Sequence, residues 1–154
     1  MSKAFTREDD SEESFAPQRA PLPPGTQNYI TSSGAAKIQV ELDRLLKRKR
    51  DAPPTDTNRR LDARIQYLQN LIGTFVVVEP GSSDVVRFGS NITVNQNGVE
   101  ERYRIVGVDE IDLENDHVSW LSPLARALMA KRVGEVVEFR APSGLQRLTI
   151  LAIQ

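Results

Sequence analysis

The stretch TSSGAAKIQVELDRLLKRKRDAPPTDTNRRLDARIQYLQNLIG, residues 31–73, decides how this chain is built. Ala35, Ile38, Leu42 and Leu45 recur at spacings of three, four and three, which lines them along one face of a helix. Thr31 or Ser32 supplies a side-chain oxygen to cap its start. Leu61, Ile65, Leu68 and Ile72 repeat the pattern, with Arg59, Arg60, Asp62 and Arg64 on other faces and Gly73 placed to end it. Between the two runs, Asp51 to Asp56 includes Pro53 and Pro54, which cannot continue a helix, and so short a link returns the second helix beside the first. The expected unit is an antiparallel α-helical hairpin, a short coiled coil over 29–73. Its arms of roughly 15 to 18 residues project about 25 Å.

Past Gly73 the helical period stops. Phe75 to Val78, Ile92 to Val94, Arg102 to Val106, Val118 to Trp120, Val136 to Phe139 and Leu148 to Ile153 read as short strands. Turns at Asn95-Gln96-Asn97-Gly98 and Pro142-Ser143-Gly144 favour antiparallel pairing. Ser122 is a good helix cap and Pro123 suits the first helical position, so one helix over Leu124 to Lys131 interrupts the strands. Residues 74–154 thus form a small antiparallel sheet domain with one short helix, and the fold class is α+β.

Residues 1–28 combine the acidic run Glu8, Asp9, Asp10, Glu12 and Glu13 with Pro17, Pro21, Pro23, Pro24 and Gly25. Few apolar side chains are available there to offset the entropy of ordering, so the segment is expected to be a disordered tail. Across all 154 residues the formal net charge is −1, too small for the broad basic field that drives duplex binding, and a protein partner is favoured. There are no cysteines, which excludes disulfides, thiolate nucleophiles and cysteine-bound zinc. No apolar run suits a membrane span or signal peptide, and a cytoplasmic location is expected.

Little chemistry is encoded. His117 is the sole histidine and is expected to face solvent from a strand, without the partners that a triad or a zinc site needs. Gly107, Gly134 and Gly144 are isolated, so no phosphate loop forms. Asp51 and Asp56 flank the hairpin turn, where two carboxylates have the chemistry to share a magnesium ion, but turn and capping roles explain them more simply. Lys47, Arg48, Lys49, Arg50, Arg59 and Arg60 surround that tip and oppose a further cation. The same cluster is either a solvated face or an attraction for phosphates and acidic protein surfaces. No catalytic residue, metal or cofactor is expected.

Several runs resemble the GreA/GreB family of transcript-cleavage factors, over about Asn28 to Gln154. Tyr103-Arg104-Ile105-Val106-Gly107-Val108-Asp109-Glu110 is similar to the family segment before its helix, and Ser122-Pro123-Leu124-Ala125-Arg126-Ala127-Leu128 resembles its signature. Gly134-Glu135-Val136-Val137 and Ala141-Pro142-Ser143-Gly144 continue the likeness, while Tyr29-Ile30-Thr31 and Glu41-Leu42-Asp43-Arg44-Leu45 resemble the start of the family's coiled coil. The resemblance implies an FKBP-like C-terminal domain docked on the rim of RNA polymerase's secondary channel, with the hairpin pointing inward. It also implies that Ser122, Pro123, Arg126 and Asp109 contact polymerase or position such contacts, at one end of the sheet near the hairpin. The family's acidic tip motif, which assists cleavage of backtracked RNA, has no counterpart between Arg50 and Arg59.

The expected function is therefore a monomeric, non-enzymatic polymerase regulator without strong transcript-cleavage stimulation, making at most weak nucleic-acid contact through its basic tip. Two other readings compete. One is peptidyl-prolyl isomerase activity, prompted only by the implied fold. The other is a generic helical interaction module.

Overall fold

The computed structural model describes residues 19–52 and 58–154. Asp56 and residues 1–18 of the expected tail lie outside the described residues. Strand β1 (Asn28–Ile30) leads into helix α1 (Ser32–Asp51), and α2 (Asn58–Ile72) is followed by β2 (Phe75–Val77), β3 (Asn91–Gln96) and β4 (Val99–Val106). A 3-10 turn at Ile111–Leu113 precedes β5 (His117–Ser119), α3 (Pro123–Leu128), β6 (Val136–Ala141) and β7 (Gly144–Ile153).

Helix α1 starts where Thr31 takes an extended backbone and its hydroxyl accepts the Gly34 N–H at 3.1 Å. Arg48, Lys49 and Arg50 occupy its last turn, where cations complement the negative end of the helix dipole. Ile38, Leu42 and Leu45 are buried against Leu61, Ile65, Leu68 and Leu71, with Ile30 closing one end of the seam. On α2 the seam runs through Leu71 rather than the expected Ile72, which is only half-buried at the helix end. Helices of this length are marginal in water, so this seam is what holds them, at about 1.5–3 kcal/mol for each buried leucine or isoleucine. Outside the seam, ion pairs from Arg64 and Lys49 also tie the helices. Arg64 donates from Nε and Nη2 to Glu41 at 3.0 and 2.9 Å, and Lys49 meets Asp62 at 2.7 Å.

The main sheet has the order β5-β4-β3-β7-β6. It was expected to be antiparallel throughout, but β5 joins β4 in parallel, because residues 107–116 carry the chain back before β5 begins. A second departure is β1, which falls at the boundary assigned to the tail and pairs in parallel with β2 as a separate two-stranded sheet. The β3–β4 turn matches expectation, with Asn97 and Gly98 both at positive φ (54° and 82°). Helix α3 has the expected cap, Ser122 accepting the Ala125 N–H at 3.1 Å with Pro123 next. It stops at Leu128, short of the expected Lys131, because Met129 turns extended and Ala130, at φ 63°, donates its N–H to the Val86 carbonyl. The core of this half is Val86, Ile92, Val94, Ile105, Ala125, Leu128, Val137, Leu148 and Ile150.

Candidate functional site

The two halves meet at a buried acid. Glu110, directly after β4 and its short connection, is fully buried. Its Oε2 accepts the backbone N–H groups of Thr31 at 3.0 Å and Gly107 at 2.7 Å, and its Oε1 accepts the Thr31 hydroxyl. That hydroxyl accepts in turn from Gly34, so the acid from the sheet domain orients the group that caps α1. Two glycines make room. A Cβ on Gly34 would lie 1.9 Å from Glu110 Oε1, and one on Gly107 would lie 2.0 Å from the Tyr29 carbonyl oxygen.

Further contacts surround this centre. Asp109 accepts Arg19 Nε at 2.6 Å and Nη2 at 3.3 Å, together with Asn28 Nδ2 at 2.9 Å. The neighbouring carboxylates of Asp109 and Glu110 therefore grip residues 19–31 from two sides. Arg104 Nη1 reaches Ser33 Oγ at 3.3 Å, although Arg104 Nε is buried without a partner. Lys37 pairs with Glu114 at 2.7 Å, and the hydrogen bond and positive charge from Lys37 hold the Glu114 carboxyl below the usual glutamate range. Tyr29 packs edge-on against Trp120, with ring centroids 5.1 Å apart, and lies 6.0 Å from Phe88. His117 departs from the expected solvent-facing position. It is buried, and its Nδ1 lies 2.8 Å from the backbone oxygen of Glu110, where it steadies the same connection.

The residues expected to meet a partner separate into three places. Pro123 and Arg126 are exposed on α3 and Ser122 is half-buried as its cap. This surface follows Trp120 by two residues and so begins beside the joint. Asp109 is turned inward instead: its side chain is 6% exposed, and its oxygens are taken by Arg19 and Asn28. At the far end of the helices, Lys47, Arg48, Lys49, Arg50, Asp51, Arg59 and Arg60 are all exposed. Among the described residues, no group of three or more histidine, cysteine, aspartate or glutamate side chains could hold a metal ion. No helix among them is long and apolar enough to cross a membrane.

Sequence pattern alone does not single out Glu110 as the centre of the joint. The signal was available in Gly107-Val108-Asp109-Glu110, where a glycine precedes an acid by three residues, but its partners Thr31 and Gly34 are too distant in sequence to be paired by pattern.

Residues 81–154 match the family described as transcription elongation factor GreA/GreB, C-terminal. The transcription elongation factor GreB of Neisseria meningitidis serogroup B is 31% identical, over 84% of this chain and 94% of its own length. The chain belongs to the GreA/GreB family. GreA of Thermosipho melanesiensis is 30% identical over 82% of this chain and 96% of its own. The crystal structure of GreA factor homolog 1 from Thermus thermophilus is 23% identical, covering 84% of this chain and 99% of that one with a TM-score of 0.42. Within this GreA/GreB chain, the matched C-terminal stretch contains Glu110, His117 and the whole of α3, whereas Thr31 and Gly34 come from before it.

Proposed function

We propose that this chain is an RNA polymerase-binding elongation factor that acts at the secondary channel without strong stimulation of transcript cleavage. Polymerase is the partner because the curated relatives are transcription elongation factors of the GreA/GreB family. In this reading the sheet domain is an FKBP-like docking domain of residues 74–154, which meets the channel rim through Ser122, Pro123 and Arg126. Residues 29–73 form an antiparallel hairpin that points inward. The protein works in the cytoplasm as a monomer, and it modifies polymerase rather than catalysing a reaction itself.

One observation supports the loss of cleavage assistance. The described end of α1 presents Lys47, Arg48, Lys49 and Arg50 next to the single carboxylate Asp51, and Asp62 nearby is already engaged by Lys49. Holding a second magnesium ion beside RNA requires several carboxylates in fixed geometry, and this end carries the opposite charge. The isomerase reading is not favoured, since Phe88 and Trp120, the aromatic groups it would need around a substrate, pack with Tyr29 at the joint. A binding titration with core polymerase at low and moderate salt tests the proposal. Binding that weakens as salt rises is expected. No binding at either salt would overturn it.

A further inference from the structure

One peptide in the sheet domain joins an exposed side-chain amide to a backbone nitrogen that can attack it. Asn97-Gly98 is the single asparagine–glycine step in the chain, at the tip of the β3–β4 hairpin, where the Gln96–Val99 pair closes the turn. Both residues are exposed, and the Asn97 side-chain amide bonds to no described residue. Glycine has no Cβ to crowd its own nitrogen, which makes it the least hindered residue to follow an asparagine.

The reaction open to this pair is intramolecular. A base takes the Gly98 N–H proton, the nitrogen adds to Asn97 Cγ, and the Cγ–Nδ2 bond breaks with release of ammonia, leaving a succinimide ring. Water then opens the ring at either carbonyl to give aspartate or isoaspartate, with nothing oxidised or reduced. The new carboxylate would stand near Glu100 and Glu101, both exposed on β4. Isoaspartate would also lengthen the backbone of a two-residue turn that sets the register of β3, whose Ile92 and Val94 are core residues.

The fold opposes that chemistry at the nitrogen. Gly98 N–H donates to Asn95 Oδ1 at 2.9 Å, so the proton that must leave is held by a neighbouring acceptor. The same bond, with Asn97 at φ 54° and Gly98 at φ 82°, pins the turn in one geometry and keeps the amide carbon and the nitrogen from swinging together. Asn95 is itself held, pairing with Glu100 on one side and Thr149 on the other. We propose that Asn97 is a deamidation site of this chain and that the Asn95 side chain restrains it in the folded protein. The restraint belongs to the hairpin and does not rest on the polymerase reading.

The test follows the peptide containing Asn97 after the full chain is incubated at mildly alkaline pH, through its isoaspartate content and its mass gain of water less ammonia. Native protein should react several-fold more slowly than the same chain unfolded in urea. Asn95→Ala should react about three- to tenfold faster than native, the size of one lost hydrogen bond expressed as a rate. Asn95→Asp keeps an acceptor and adds a charge that opposes loss of the Gly98 proton, so it should react no faster than native. Amide exchange at Gln96 and Val99 shows whether the hairpin still closes in each variant. Equal rates in the native and unfolded chain would overturn the proposal, as would an Asn95→Ala rate equal to native. If Asn95→Ala opens the hairpin, Asn95→Asp decides: a closed hairpin that reacts as fast as the unfolded chain would overturn it.

Discussion

Glu110 and Thr31, separated by 79 positions, are joined by both the backbone N–H and the side-chain hydroxyl of the threonine. A helix cap is usually satisfied by neighbours in sequence. Here the cap is oriented from the other half of the protein, so Glu110 is one of the groups that set the direction in which α1 leaves the sheet domain. In the proposed reading, in which the sheet domain docks and the helices reach inward, that direction sets where the far end of the helices points.

Glu110→Gln should weaken this joint strongly. The amide keeps one acceptor oxygen but turns an NH2 toward groups that are themselves donors, and each buried group left unsatisfied costs about 1–3 kcal/mol. Chemical denaturation should show a loss of at least that size, with amide exchange near Thr31 and Gly34 speeding up more than exchange in the β3–β7 ladder. Unchanged stability would mean that the joint tolerates the loss of the carboxylate.

Gly34→Ala should destabilise although it improves helix propensity. Alanine in place of glycine inside a helix gains up to about 1 kcal/mol. The added Cβ, however, would lie 1.9 Å from Glu110 Oε1, in a carboxylate pinned by three hydrogen bonds. The net effect should be a lower Tm, and a raised Tm would show that Glu110 has room to move.

Most of the fold could be read from the chain, and the misses share a cause. The helices were legible because their apolar spacing is local, as were the Ser122 cap and the Asn97-Gly98 turn. The parallel placement of β5, the β1–β2 pair and the inward turn of Asp109 were not, because each depends on partners far away in sequence. His117 shows the same limit. A place in a strand suggested one wet face, but the loop before β5 brings the Glu110 carbonyl to the ring's Nδ1 and the side chain is buried.

Glu114 offers a pH test of the contact between α1 and the loop before β5. Its carboxyl is held below the usual range by Lys37, so the contact is present above the ordinary glutamate range and is lost as pH falls through the lowered value. An NMR titration should place Glu114 below the ordinary glutamate range, and Lys37→Met should return it to that range. The same low value in Lys37→Met would assign the shift to another cause.

Arg126→Glu should lower polymerase affinity while leaving the fold intact. The side chain is exposed on α3, so thermal stability should change by no more than about 0.5 kcal/mol. Reversing a charge at a docking rim should slow association and alter its salt dependence. Equal affinity with an intact fold would remove Arg126 from the contact surface.

The most direct test of the account is the rate of transcript cleavage in backtracked polymerase complexes supplied with a cleavage-stimulating GreB while this protein is titrated in. Competition for the channel by a factor whose tip is basic should bring the rate down toward that of polymerase alone as the protein saturates. A rate that does not change, or one that rises and loses the rise with Asp51→Asn and Asp56→Asn, would contradict the assignment of a channel-binding factor without cleavage assistance.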